Sequence, residues 1–206
     1  MRLIINDMEL NANCLKQFGI ELLETKEMTC RLYEWAGWSK LSADTTRVIF
    51  PGNGAADVRR ALGGEWLSGW MVDSISASRF WWPGVSPGAV VGLALEGFDF
   101  QTKDVVIIDD VISSGITIQK VRERNEPWMP KARWHALAWV SQRNAKLSGF
   151  ASVHSVAIVG TKSTKAHIYS LSTILADNDI AKSFAERNFF AADCVRFLEM
   201  IQEMRR

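Results

Sequence analysis

The chain has 206 residues, of which 48% are hydrophobic and 23% are charged, and its formal net charge is +1. This length suits one domain with a sizeable core. The near-neutral balance argues against a nucleic-acid partner, which a basic surface normally recognises, and no apolar run is long enough to predict a membrane span.

The three cysteines, Cys14, Cys30 and Cys194, are far apart in the sequence and belong to no CxxC motif. Such isolated cysteines argue against a zinc site and against a disulfide framework. We therefore expect reduced thiols and a cytoplasmic location.

The first part of the chain shows a mixture of helical and strand patterns. The apolar spacing predicts a helix over 8–23, and the next segment, 28–35, is a candidate strand. A β-branched strand over 45–50 runs into the turn PGNG, and a short helix over 55–62 follows. Partial alternation predicts a further strand over 70–80.

The second part opens with a loop rich in proline and glycine, FWWPGVSPG, and then alternates strands with helices. The predicted strands are 89–95, 104–109, 132–142 and 153–160, and the predicted helices are 116–125 and 193–206. Because the apolar runs are nearly continuous, they favour a mainly parallel α/β sheet with both faces covered by helices.

Two adjacent acids end one of the buried strands. Asp109 and Asp110 follow VVII, and the small-residue turn SSGIT comes directly after them at the start of a helix. Ligands of parallel sheets bind beyond the carboxyl ends of the strands. The turn offers backbone N–H groups, hydroxyls and a helix dipole to a phosphate, and the carboxylates can accept hydrogen bonds from vicinal sugar hydroxyls.

A purely structural interpretation exists for each of these residues taken alone. Asp110 can cap a loop, and Ser113 or Ser114 can be the N-cap of the helix. The complete order of strand, acid pair, hydroxyl-and-glycine turn and helix favours a sugar-phosphate site instead.

The segment VVIIDDVISSGIT, residues 105–117, closely resembles the phosphoribosyl diphosphate (PRPP) signature of type I phosphoribosyltransferases. The resemblance implies a parallel sheet flanked by helices, with a small hood. It also implies that Asp109 and Asp110 contact the ribose hydroxyls. The residues that it places around the 5-phosphate are Ser113, Ser114, Gly115, Ile116 and Thr117.

A second loop of that family receives pyrophosphate, and RVIFPGNGAADV resembles it. The matching residues are Pro51, Gly52, Asn53 and Gly54. A plain glycine turn is the alternative interpretation of these four. The frame ASRFWWPGVSPGAVVGLALEG resembles orotate phosphoribosyltransferases, and it aligns Arg79 with the arginine that meets pyrophosphate.

The loop in that frame departs from the orotate enzymes, because FWWPGVSPG contains no charged residue. Trp81 and Trp82 are candidates for a lid or for stacking on a base, and packing within the domain is the alternative. Hypoxanthine–guanine enzymes carry an acid at the position of Ser113, so the chain departs from them as well.

The resemblance implies transfer of a phosphoribosyl group from PRPP to a nitrogenous base, with Mg²⁺ arriving on the diphosphate and held in part by Asp109 and Asp110. Arg79 would balance the pyrophosphate. We expect one domain over 1–206 with its core at about 45–160, a hood formed by both flanks, and a homodimer. The alternative is a regulatory protein of the same fold that senses PRPP or a nucleotide, which the uncharged loop favours.

Overall fold

The computed structural model describes residues 2–8, 10–80, 88–95, 97–160 and 168–206. The chain divides into two compact units: Met28–Ser163, which we call the central unit, and Met1–Glu27 with Thr164–Arg206, which we call the terminal unit. The predicted core at about 45–160 falls in the central unit. That the flanks form a hood belonging to one domain stays a prediction.

Strands and helices alternate through most of the chain. In chain order they are β1 (Arg2–Asn6), β2 (Ile20–Glu24), α1 (Thr25–Tyr33), β3 (Thr46–Pro51), α2 (Gly52–Leu62), α3 (Gly64–Leu67), β4 (Met71–Ile75), β5 (Ala77–Phe80), β6 (Gly88–Val91), β7 (Asp104–Ile112), α4 (Ile116–Asn125), β8 (Arg133–Gln142), β9 (Ser152–Val159), β10 (Ile168–Ser170), α5 (Leu171–Ala176), α6 (Asn178–Asn188) and α7 (Ala191–Met204).

The central unit contains a five-stranded sheet in the order β4-β3-β7-β8-β9, and every neighbouring pair in it is parallel. The connection from β3 through α2 leads to β4 on one side, whereas the connection from β7 through α4 leads to β8 on the other. The chain therefore reverses its direction of winding between β3 and β7. In doubly wound sheets this switch point is where ligands bind.

The central strand β7 explains why the sheet forms from this sequence. Val105, Val106, Ile107 and Ile108 are all completely buried, so β7 is covered on both faces. A strand of this kind shows a continuous apolar run, because neither face meets water. The predicted mainly parallel sheet flanked by helices is confirmed.

Two helices cover the sheet near the switch point. Helix α4 contributes Ile118 and Val121 to a core that includes Ile107 and Trp134. Helix α2 has its own buried stripe, formed by Ala55, Val58 and Leu62. Burial of these apolar side chains stabilises the fold by about 25 cal/mol per Å² removed from water.

The terminal unit has its own parallel sheet, in the order β10-β1-β2. Helices α5, α6 and α7 pack with it around an aromatic core in which Phe184 and Phe197 are completely buried. The predicted C-terminal helix is present as α7.

Two predictions for the first 35 residues are wrong. The predicted helix over 8–23 is a short 3₁₀ segment, Asn13–Phe18, followed by β2, because Gly19 adopts a left-handed conformation and β2 pairs with β1. The predicted strand over 28–35 is helical through Tyr33. Its apolar residues Met28 and Leu32 are four apart and share one buried helix face.

The predicted strand over 70–80 is in fact two strands, because the chain leaves the main sheet after β4 and continues as β5. The predicted strand over 89–95 is found in part, as β6, but its predicted burial is wrong. Among the described residues β6 pairs with β5 in an antiparallel two-stranded ribbon, and Val90 is 64% exposed. The predicted loop with Trp81 and Trp82 lies outside the described residues.

Candidate active site

The carboxyl ends of β3 and β7 lie side by side at the switch point. The two strands are parallel, with Ile49 opposite Ile107. Each strand therefore delivers its following loop to the same edge of the sheet. One loop is the glycine-rich start of α2, and the other is the acid pair with the turn Ser113–Thr117.

Side chains of a strand alternate between the two faces, so the two acids leave β7 toward different faces, while their carboxyl groups stay close enough to interact. Asp110 turns toward α2, where a Cβ placed on Gly54 would lie 2.6 Å from its Oδ2. Asp109 is 4% exposed and lines a depression on the side of α4. The backbone N–H of Asp110 donates to Oδ1 of Asp109 at 3.0 Å, and that of Val111 donates to Oδ1 of Asp110 at 2.7 Å.

The turn after β7 forms most of the depression, which is narrow. Its lining residues are Arg79, Asp109, Val111, Ile112, Ser113, Ser114, Gly115, Ile116, Thr117 and Ile118. Gly115 is the N-cap of α4 and has no side chain to cap the helix, and the hydroxyl of Ser114 accepts a long hydrogen bond, at 3.4 Å, from the backbone N–H of Ile116. The positive end of the helix is therefore open to an anion.

Gly115 has φ +87°, and a Cβ there would lie 2.5 Å from the carbonyl oxygen of Lys146. We expect Gly115→Ala to lower the free energy of unfolding by about 2 kcal/mol or more, because a left-handed alanine is strained and the neighbouring backbone must move. Urea denaturation of the variant measures this loss. Gly64→Ala is the matched control, since a Cβ there meets nothing within 4 Å. Equal urea midpoints for the two variants would contradict the described turn.

Arg79 lies on β5 and reaches the same depression. Its Nε donates a hydrogen bond to the hydroxyl of Thr117 at 3.1 Å. Thr117 is 8% exposed and belongs to the first turn of α4. This bond holds the guanidinium beside the turn, where it can meet an anionic ligand.

The glycine loop approaches the site at Gly54. Gly54 touches Asp110, whereas Pro51, Gly52 and Asn53 do not line the depression. Gly52 has φ +75°, and a Cβ on it would lie 2.9 Å from the carbonyl oxygen of Ala77. A glycine at this position lets β3 turn into α2 against the chain that leads to β5.

The acid pair is electrostatically unfavourable without a ligand. Burial raises the pKa of the Asp109 carboxyl well above its ordinary value, and the neighbouring Asp110 carboxylate raises it further. The Arg79 guanidinium opposes both effects. A cation or a set of hydroxyl donors at this edge would stabilise the charged form of the pair.

The donor set limits how a metal ion can bind. Nowhere in the described parts of the chain do three or more His, Cys, Asp or Glu side chains form a metal-binding group. Asp109 and Asp110 offer two carboxylates, which suit Mg²⁺ when substrate oxygens and water complete its coordination. The residues present therefore fit a magnesium ion that arrives with a phosphorylated ligand.

One contact of the site is not predicted by the sequence. The loop between β8 and β9 packs on the turn, and the backbone N–H of Lys146 donates to the carbonyl oxygen of Ser114 at 3.1 Å. Nothing in the local sequence around Lys146 signals this contact, because it joins segments 32 residues apart.

His135, His154 and the tryptophan pair Trp35 and Trp38 do not line this depression. Nε2 of His135 is 3.0 Å from Oδ1 of Asp104, at the amino end of β7. Trp35 and Trp38 contact each other edge to face, and their cluster continues to Trp66. His167 lies outside the described residues.

No protein-family model matches the chain, and no curated protein matches its sequence. Several solved structures are similar to it. A hypoxanthine phosphoribosyltransferase from Staphylococcus aureus is 14% identical with a TM-score of 0.51, covering 66% of this chain and 72% of that one. A hypothetical protein from Neisseria gonorrhoeae with bound ppGpp is 14% identical with a TM-score of 0.51, covering 91% and 98%.

A purine phosphoribosyltransferase from Pyrococcus horikoshii is 16% identical with a TM-score of 0.49, covering 82% of this chain and 93% of that one. Among the described residues, no helix is both long enough and apolar enough to cross a membrane. At such low sequence identity, structural similarity shows the fold alone. The fold is a mostly parallel sheet flanked by helices, as in type I phosphoribosyltransferases.

Proposed function

We propose that the protein transfers a 5-phosphoribosyl group from PRPP to a nitrogenous base and releases pyrophosphate. The observation that carries the proposal is the convergence of two loops at the switch point. Asp110 contacts Gly54 of the glycine loop, while Asp109 shares a depression with Arg79 and the turn before α4. A fold shared with phosphoribosyltransferases supports the same function.

Each group of the site has a role in binding the donor. The turn Ser113–Thr117 would bind the 5-phosphate with its amides and hydroxyls, since the N-terminus of α4 is open there. Asp109 and Asp110 would accept hydrogen bonds from the two ribose hydroxyls. Arg79 and the loop Pro51–Gly54 would bind the pyrophosphate.

The chemistry follows from the donor. Loss of pyrophosphate from the anomeric carbon develops positive charge on the ribose, as in glycoside cleavage. Asp109 and Asp110 would stabilise that charge, and Arg79 would stabilise the negative charge on the departing group. When bound, Mg²⁺ would neutralise the diphosphate oxygens. The protein otherwise positions the ribose and the incoming nitrogen.

The identity of the base is a separate proposal. The frame around Arg79 resembles the orotate enzymes and supports a pyrimidine, whereas the similar enzyme from Staphylococcus aureus is a hypoxanthine phosphoribosyltransferase. We retain a pyrimidine as the first candidate and test purines beside it. We also propose a homodimer and, because all three cysteines are free thiols, a cytoplasmic location.

Incubation with PRPP, Mg²⁺ and a panel of pyrimidine and purine bases should release pyrophosphate with at least one base. An equal amount of nucleotide should form, as measured by coupled phosphate release and chromatography. Arg79→Gln should lower kcat/KM about thirtyfold, since it removes a charge-assisted contact to pyrophosphate. Arg60→Gln is the control, because Arg60 pairs with Asp57 on the exposed side of α2. Release that is unaffected by Arg79→Gln would contradict the proposed role.

The second candidate function is sensing of PRPP or a nucleotide. Two observations favour it: the uncharged sequence FWWPGVSPG, and the bound ppGpp in the similar protein from Neisseria gonorrhoeae. In that case calorimetry would detect binding of PRPP or of a nucleotide, while no base of the panel would release pyrophosphate.

A further inference from the structure

A second depression opens beside the phosphate turn and is much larger than the first. It holds about 410 Å³ and shares Ser114, Gly115 and Ile116 with the smaller one. A ligand group bound at the turn therefore has open space next to it. We call this space the lysine groove, because Lys120 and Lys146 line it.

The backbone holds Lys146 at the groove. Its N–H donates to the carbonyl oxygen of Ser114 at 3.1 Å, and its own carbonyl oxygen packs against Gly115. The backbone of Lys146, from which its side chain extends, is thus held beside the turn. The side chain itself is exposed and able to follow a ligand.

The charge of the groove is positive. Lys120 lies on α4 and forms an ion pair with Glu123 at 2.5 Å, with both side chains about half exposed. Two lysines and one glutamate give 2 − 1 = +1 among the ionisable side chains of its lining. The open N-terminus of α4 adds partial positive charge on the same side.

We propose that the lysine groove binds a second phosphoryl group attached to the 5-phosphate, so that the protein binds nucleoside 5′-diphosphates more tightly than the corresponding monophosphates. The first phosphate occupies the turn and the second meets Lys146 and Lys120. This inference rests on the proposed placement of the 5-phosphate at Ser113–Thr117. It adds a ligand class that PRPP does not represent, because PRPP carries a single phosphate at this carbon.

The test compares GMP with GDP and UMP with UDP by titration calorimetry at fixed ionic strength, with PRPP as a third ligand. Each diphosphate should bind about tenfold tighter than its monophosphate, as one added charge-assisted contact provides. In Lys146→Ala the ratio of the diphosphate affinity to the monophosphate affinity should fall toward one. The affinities for PRPP and for the monophosphates should change less than about twofold.

Two further variants separate this effect from general electrostatics. Glu123→Gln should raise the affinity for the diphosphates, because it removes the negative charge that pairs with Lys120. Lys103→Ala is the matched control: Lys103 precedes β7, at the opposite end of that strand from Asp109, and its loss should leave the ratio unchanged.

The outcomes distinguish the two proposals. Equal binding of mono- and diphosphates, with normal PRPP binding, overturns the lysine groove and leaves the proposed function standing. A diphosphate preference that survives loss of both Lys120 and Lys146 overturns it as well. If neither PRPP nor any nucleotide binds, the proposed function fails and the groove assignment fails with it.

Discussion

Replacing both acids, as in Asp109→Asn with Asp110→Asn, should reduce phosphoribosyl transfer about a thousandfold, or roughly 4 kcal/mol of transition-state stabilisation. Asparagine keeps the size of each side chain but removes the negative charge. It therefore removes two charge-assisted hydrogen bonds to the ribose and the stabilisation of the developing positive charge. Initial rates of pyrophosphate release measure the loss.

Asp109→Asn alone should stabilise the protein without ligand. Because burial and Asp110 raise the pKa of Asp109, the folded state binds its proton more tightly than the unfolded state does. The cost of ionising Asp109 is therefore absent below the ordinary carboxyl pKa, grows as pH rises toward the folded-state pKa, and stays constant above it. We expect Asp109→Asn to raise Tm by roughly 3–6 °C at neutral pH and to have no effect in acid.

Two measurements keep this prediction testable. Thermal unfolding of Asp109→Asn and of the unmodified protein, compared across pH, should show the two curves converging as pH falls. Asp57→Asn is the matched control, since Asp57 pairs with Arg60 on an exposed surface. Lower stability of Asp109→Asn at neutral pH would contradict the predicted cost of ionising Asp109. Normal phosphoribosyl transfer by the double variant would show that the acid pair does not bind the ribose.

The sequence predicts the centre of the sheet and the turn that precedes α4 because their signals are local. A continuous apolar run marks β7 as buried on both faces, and a glycine after two serines marks the start of α4. These signals depend on burial and backbone conformation within a few residues. Contacts with distant parts of the chain therefore do not change the structure that these signals predict.

The failures occur where distant contacts decide the structure. Residues 20–24 have apolar side chains that suit a helix, yet they form β2 because β1 offers them a parallel partner. Pairing of this kind overrides local propensity. The ribbon of β5 and β6 arises in the same way, since the chain leaves the main sheet at Ser76.

The candidate site also combines residues with local sequence signals and residues that only distant contacts bring together. Most residues that line the depression belong to one predicted motif, whereas Arg79 and the residues that contact the lining come from elsewhere in the chain. The contact between Asp110 and Gly54 joins two loops 56 residues apart, and Lys146 reaches the turn from the loop after β8. Only the topology of the sheet brings these segments together.

The contact between Gly54 and Asp110 leads to the second large expected effect. In Gly54→Ala the new Cβ would lie 2.6 Å from Oδ2 of Asp110, so the carboxylate must move away. The end of a short side chain moves more readily than backbone does. Gly54 also lies in the first turn of α2 with no positive φ, and alanine favours a helix by about 1 kcal/mol over glycine. We therefore expect little change in stability.

Activity should nevertheless fall about a hundredfold, because a displaced carboxylate no longer meets the ribose, and small misplacements of a positioned group are costly. Parallel measurements of kcat/KM and of urea denaturation separate the two effects. Gly64→Ala, with open space around its Cβ, should change neither quantity. Full activity in Gly54→Ala would mean that Asp110 works equally well away from α2, and that the convergence of the two loops is not what binds the sugar.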